Sequence, residues 1–207
     1  MRITHRMSAA ALGAGLALGL AACSTTPTPT DTASAQSAAT QSASADADAT
    51  EHNAADTEFA QMMIVHHQGA IEMAELALSK ASTDEVRSLG ERIAAAQGPE
   101  IDVMSGWLDT WVEQQPADAE MDGMGHEGMD MGGIDQGQVM TELSGLNGTT
   151  FDQRFLELMI EHHEGALTMA ETSRAEGLNA DVIRFAGKVI DDQTSEITEM
   201  RNLLRAL

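Results

Sequence analysis

Apolar residues recur at three- and four-residue spacing in four stretches of the chain, and this spacing predicts four helices. The first runs from Asp56 to about Lys80 with no proline inside it. Ala81 to Asp84 reads as a turn, in which Ser82 or Thr83 can cap a second helix with Glu85 in its first turn. That helix reaches about Val112 and contains Gly98-Pro99. Proline has no N–H to donate to the carbonyl four residues back, so a kink or a restart is expected there. From Gln115 to Gly137 the periodicity stops, and a short helical piece is expected at Gln138 to Leu143. Asn147-Gly148 is a turn, and Thr149 or Thr150 is placed to cap a third helix from Phe151 to Ala175, which Gly177 ends. A fourth helix starts near Asn179 and continues to the last residues.

Two of these helices carry the same phrase. Asp56, Phe59, Met63, His66, His67, Gly69, Ala70, Met73 and Ala74 recur as Asp152, Phe155, Met159, His162, His163, Gly165, Ala166, Met169 and Ala170, always 96 positions later. The offset still holds in the helices that follow, where Gln97, Glu100, Ile101, Met104 and Leu108 match Gln193, Glu196, Ile197, Met200 and Leu204. A repeat of this length is a helical hairpin. Two tandem hairpins can each bury an apolar face only against the other. The expected architecture is therefore all-α: a four-helix bundle with pseudo-twofold symmetry, its middle connection long enough to cross the bundle as in ferritin-like folds. A dimer of swapped hairpins is compatible with the same pattern.

At about 100° per residue the repeated positions of the first helix fall in one arc of roughly 120°, the width of a core-facing stripe. The stripe holds two methionines and a His-His pair in each half. Methionine alone would read as core filler. Buried imidazoles need partners, and Asp56 or Glu75 could supply one hydrogen bond. The same combination in both halves points instead to a metal site built from Met63, His66, His67, Met73 and Met104 with Met159, His162, His163, Met169 and Met200. In di-iron carboxylate bundles a Glu stands three residues before the ligating His. Here that position is Met63, and again Met159, so a thioether replaces the hard carboxylate twice. Thioether and imidazole without thiolate suit copper, above all Cu(I), better than zinc or iron. Adjacent histidines lie about 100° apart on a helix, so each pair supplies either one ligand and one supporting residue, or ligands to two ions.

Composition adds an address and removes some functions. Arg2 and Arg6 precede an apolar stretch from Ala9 to Leu20, too short for an ordinary membrane span and shaped like a secretory signal. It ends in Leu20-Ala21-Ala22-Cys23, which resembles the lipobox of bacterial lipoproteins, so residues 1–22 are expected to be removed and Cys23 lipidated. Residues 23–53, rich in Ser, Thr, Ala and Asp, read as a disordered tether ahead of a helical domain spanning 54–207. Within that domain the first hairpin covers 54–114, the connection 115–148 and the second hairpin 149–207. The expected setting is the extracytoplasmic face of a membrane, periplasm or cell surface. Cys23 is the only cysteine, so the domain has no disulfide and no thiolate ligand. The net charge is −22, and without residues 1–22 nine basic residues face 33 acidic ones. That excludes electrostatic binding of nucleic acid.

The connection carries a second signal. Met121, Met124, His126, Met129 and Met131 lie within eleven residues among Gly, Asp and Glu. Such stretches resemble the copper-collecting segments of exported copper-handling proteins, and an ordinary acidic loop has no need of methionine.

The pattern D-x-x-F-x-x-x-M-x-x-H-H-x-x-A-x-x-M-A, followed by Q-x-x-E-I-x-x-M, resembles the bacterial family named domain of unknown function 305. The resemblance covers about Asn53 to Leu207. It implies a ferritin-like helical fold, export and, in some members, copper binding. Gly98-Pro99 departs from the second copy's Thr194-Ser195 and touches the geometry of Met104. The function expected is a lipid-anchored, non-enzymatic copper-binding protein that sequesters copper, confers resistance or passes copper to a partner protein. Two alternatives stand beside it: a ferritin-like metal-dependent oxidase or peroxidase, and a structural or interaction module for which Trp107 and Trp111 would be an exposed anchor or end-of-helix packing.

Overall fold

The computed structural model describes residues 50–116 and 135–207. Among them are five helices and no strand: α1 (Ala54–Lys80), α2 (Asp84–Trp111), α3 (Gln136–Gly145), α4 (Gly148–Glu176) and α5 (Ala180–Ala206). The two hairpins α1–α2 and α4–α5 form a bundle, with α1 lying antiparallel against α4 as the main seam. The all-α bundle of two hairpins is therefore observed, with α3 a longer piece than Gln138–Leu143 and packed on α1 and α4.

Two apolar clusters lie along this seam, one toward each end of the bundle. One holds the C-terminal half of α1, the start of α2, α3, the start of α4 and the end of α5, with Leu89, Ile93, Leu143, Phe151 and Phe155 fully buried. The other holds the start of α1, the end of α2, the end of α4 and the start of α5, with Phe59, Leu108, Val182 and Val189. Removing side chains of this size from water is the main favourable term in holding the hairpins together. Between the clusters, at the middle of α1 and α4, lies a waist of polar side chains.

The ends of the helices follow local chemistry, with some departures from expectation. Helix α1 starts earlier than Asp56, because Asn53 and Asp56 form a reciprocal capping box. Thr83 caps α2 as expected. Helix α2 runs unbroken through Pro99, so no restart occurs. Pro99 and Ala95, whose carbonyl loses its N–H partner, are both exposed, and water can satisfy the freed oxygen. Neither Thr149 nor Thr150 caps α4. The helix begins at Gly148 after Asn147, without a side-chain cap. Gly148 takes a φ of 67°, which lets the chain turn sharply between α3 and α4.

The two hairpins clasp each other through the repeated aspartates. Asp152 at the start of α4 accepts hydrogen bonds from Ser82 N at 2.8 Å, Ser82 Oγ at 2.6 Å and Thr83 N at 3.1 Å, in the turn of the first hairpin. Asp56 at the start of α1 accepts from Leu178 N and Asn179 N, both at 3.0 Å, in the turn of the second. Each hairpin therefore caps the other's turn. Gly177 follows from this contact and not from a left-handed C-cap, since its backbone is extended at φ −67°. A Cβ there would stand 2.6 Å from Asp56 Oδ1.

Residues just ahead of α1 pack on the bundle. His52 stacks on Trp111 at 4.3 Å, and the Asn53 side chain donates to Glu176 O at 2.8 Å. Trp111 is buried and Trp107 packs beside it against Phe185, so these tryptophans close the end of the bundle instead of forming an anchor. Among the described residues no helix is long and apolar enough to cross a membrane. Cys23 and the loop residues Met121, Met124, His126, Met129 and Met131 lie outside the described residues.

Candidate metal centre

The waist is built by the middle turns of α1 and α4. Because these helices are antiparallel, their central residues meet: the rings of His66 and His162 face each other with centroids 3.6 Å apart, tilted by 42°. His67 and His163 point to the outer helices of their own hairpins. His67 Nε2 donates to Glu100 Oε2 at 2.8 Å on α2, and His163 Nε2 donates to Glu196 Oε2 at 2.7 Å on α5. All four histidines are buried. Neither Asp56, which serves the opposite turn, nor Glu75, which is exposed, is the partner the sequence suggested.

These contacts set the register of the methionines. Met63 lies four residues before His67, and Met104 four after Glu100. In an antiparallel pair both steps lead one turn toward the same end of the bundle. Met63 and Met104 accordingly share one apolar cluster, and Met159 and Met200 share the other, all four fully buried. The four thioethers thus flank the histidines from both sides. Met73 and Met169 lie seven residues from His66 and His162, about 10 Å farther along their helices. Met73 is buried and Met169 is partly buried, at another level from the imidazoles.

The electrostatics favour neutral rings at His66 and His162. Burial comes first, followed by the neighbouring His162, His67 and His163, in pushing the His66 imidazole well below its ordinary value of 6.5. Burial, followed by His163 and His67, lowers His162 to about 3. For Glu100 burial opposes ionisation, but hydrogen bonds from His67 and Lys188 outweigh it and hold the carboxyl below its ordinary value. Lys188 Nζ reaches Glu100 Oε1 at 2.9 Å from α5.

Of the eight ring nitrogens in the waist, only Nε2 of His67 and Nε2 of His163 have a hydrogen-bond partner. The Oε1 atoms of Gln97 and Gln193 are also buried without a partner. Each such orphan costs about 1–3 kcal/mol, so the cluster is expensive as packing alone. The donor set consists of neutral imidazole nitrogens, thioether sulfurs and amide oxygens, which fits a soft, singly charged ion. Among the described residues no group of three or more His, Cys, Asp or Glu side chains is arranged to hold a metal ion.

The sequence marked the histidines and methionines of the waist but not the work of Glu100 and Glu196. The signal was present, since both recur at the constant offset beside Gln97 and Gln193. Fold and site together define a class: a two-hairpin helical bundle whose centre is a buried histidine cluster flanked by methionine. The chain belongs to the family described as domain of unknown function (DUF305), which matches residues 56–204. Among solved structures, a DUF305 protein from Streptomyces coelicolor, described as a putative secreted protein, shares 35% identity at a TM-score of 0.65, covering 73% of this chain and 91% of that one. A DUF305 fragment from Deinococcus radiodurans shares 28% identity at a TM-score of 0.64, covering 75% and 99%. CopM in its Cu(II)-bound form shares 30% identity at a TM-score of 0.62, covering 73% and 96%. CopM has also been solved in a Cu(I)-bound form, at 30% identity and a TM-score of 0.58. The comparison with curated proteins finds no match.

Proposed function

We propose that this protein binds copper outside the cytoplasm and holds it for sequestration or transfer. The observation that carries this reading is the facing pair His66 and His162, whose four ring nitrogens are buried without partners between fully buried methionines. Cu(I) is the ion that this donor set accommodates best, because it accepts thioethers and low coordination numbers. His66 and His162 are the central ligands, with Met63, Met104, Met159 and Met200 supplying sulfur from either side. Met73 and Met169 form an outer level along the same stripes. Met121, Met124, His126, Met129 and Met131 collect ions and pass them inward.

CopM, a relative solved with copper and with silver, supports copper as the cargo. The Streptomyces relative, whose description as a putative secreted protein agrees with the signal-like residues 1–22, supports export. Residues 1–22 serve as the signal, Cys23 carries the lipid, and residues 24–49 tether the bundle to the membrane. A partner protein that accepts copper completes the transfer role.

An anaerobic Cu(I) titration of the full chain against a chromophoric chelator tests the reading, with Zn(II) and Fe(II) in parallel. Cu(I) binding that falls when His66, His67, His162 and His163 are replaced by Ala supports a site in the bundle. Binding that survives those changes but disappears on deletion of residues 121–131 moves the function to the loop. No Cu(I) binding above weak surface association refutes the proposal and reopens the iron-dependent oxidase. Membrane association that survives Cys23→Ser refutes the lipid anchor.

A further inference from the structure

The two halves of the repeat treat their outer carboxylates differently. Glu100 and Glu196 stand at matching positions, and each accepts the Nε2–H of a buried histidine with one oxygen. The other oxygen of Glu100 is taken by Lys188, whose Nζ donates to it at 2.9 Å from α5. The residue that matches Lys188 in the first half is Arg92, on α2. Arg92 does not turn to Glu196. Its guanidinium donates instead to Ser88 Oγ and to Glu199 Oε1. The reason is a single difference between the halves. The position that matches Glu199 is Val103, which offers Lys188 no carboxylate, so Lys188 goes to Glu100 and Asp192. Glu196 therefore keeps one oxygen with no protein partner among the described residues, and its side chain is the more exposed of the two, at 22% against 13% for Glu100. A line of polar groups runs inward from it. Glu196 holds the fully buried His163 at 2.7 Å, the His163 ring centroid lies 6.4 Å from that of His162, and His162 faces His66.

We infer that Glu196 is the entrance through which a cation reaches the waist, and that Lys188 closes the matching approach at Glu100. The inference rests on the copper reading above and adds a route to it, not a ligand. A carboxylate with a free oxygen at the surface attracts a cation, and the attraction strengthens as the ion leaves water for the bundle. An ammonium group at the same place repels the cation and already fills the oxygen. The net charge of −22 draws cations to the whole surface, so it cannot choose between two equivalent approaches. The placing of Lys188 and Arg92 makes that choice, because one basic side chain covers its carboxylate and the other is diverted.

Anaerobic stopped-flow transfer of Cu(I) between a chromophoric chelator and the full chain gives the rates of uptake and release, and their ratio gives the affinity. Glu196→Gln keeps an oxygen for the His163 Nε2–H and removes the charge. It should slow uptake and release together, by about 3- to 10-fold, with the affinity changed by less than about twofold, because the carboxylate acts on the ion in passage and not on the bound ion. Lys188→Ala should speed uptake by opening the second approach. Glu199→Val should slow it, since Arg92 then has the same surroundings as Lys188 opposite Val103 and is free to cover Glu196. Both side chains are about half exposed, and unchanged urea midpoints in the metal-free variants exclude a general loss of structure. Wild-type rates in Glu196→Gln overturn the inference. So does a weaker affinity at an unchanged uptake rate, which makes Glu196 a support for His163 alone and leaves the copper reading standing. Wild-type uptake in both Lys188→Ala and Glu199→Val overturns the closing role of the basic side chains. A wild-type chain that does not bind Cu(I) removes the copper reading itself, and the entrance with it.

Discussion

The aspartate clasp makes a quantitative prediction. Asp152 is fully buried and receives three hydrogen bonds from the turn at Ser82 and Thr83, between 2.6 and 3.1 Å. Replacing Asp152 with Ala removes all three acceptor contacts. At about 1 kcal/mol net for each hydrogen bond the loss is about 3 kcal/mol. The stranded donors belong to an exposed Ser82 and a half-buried Thr83, so water partly satisfies them and no further buried-donor penalty is added. For a domain of this size the loss corresponds to a melting temperature lower by about 6 to 12 °C. Urea unfolding of the metal-free chain, followed by far-ultraviolet circular dichroism, measures it. Asp192→Ala is the control, because Lys188 and Asp192 form an ion pair that is more than half exposed on both sides and should contribute less than about 0.5 kcal/mol. Asp56→Ala acts at the opposite end of the bundle, so the double variant should lose the sum of the two single effects. A loss below about 1 kcal/mol for Asp152→Ala would refute the clasp. So would a fall in Cu(I) affinity at unchanged stability, which would make Asp152 part of the metal centre instead.

Three further outcomes follow from the geometry. Val112 ends α2 in the left-handed region at φ 60°, where a β-branched residue is strained, so Val112→Gly should stabilise the chain by about 1 kcal/mol in the same unfolding assay. His66 and His162 resist protonation in the fold, whereas in the unfolded chain they take up a proton near pH 6.5; stability is complete above that pH and is lost as pH falls below it, for His162 down to about 3, by up to about 1.4 kcal/mol per pH unit for each ring. Urea midpoints at pH 7.5, 6 and 5 in a metal chelator should show this slope, and His66→Leu with His162→Leu should flatten it. Met63→Leu and Met159→Leu conserve volume, so they should cost less than about 1.5 kcal/mol of stability while weakening Cu(I) binding; unchanged affinity in both would make the thioethers core filler.

Much of the architecture was legible because it is written in local periodicity and in the repeat. The positions of four helices, the two-hairpin plan and the stripe containing His66, His67, His162 and His163 need only the spacing of residues on a helix. The helix starts were read less well, because capping depends on which neighbour competes for a side chain. Thr149 and Thr150 looked like caps for α4, yet that helix starts at Gly148 with no side-chain cap. Pro99 suggested a kink or a restart, but Ala95, whose carbonyl it leaves without a donor, is exposed to water and α2 continues without a restart.

The partners of the polar stripe could not be read along the chain. Asp56 and Glu75 are near His66 in sequence, and either could have served it. In the fold Asp56 serves a turn more than 120 residues away, and Glu100 takes His67 from the neighbouring helix. The sequence alone determines which residues share a helix face, since helical geometry is local. Which faces meet, which imidazole finds a carboxylate and which is left with bare nitrogens depends on the antiparallel register of α1 against α4 and of each inner helix against its outer neighbour. That register is set by the packing of two apolar clusters and by the clasp across both ends, contacts that exist only once the two halves of the repeat have come together.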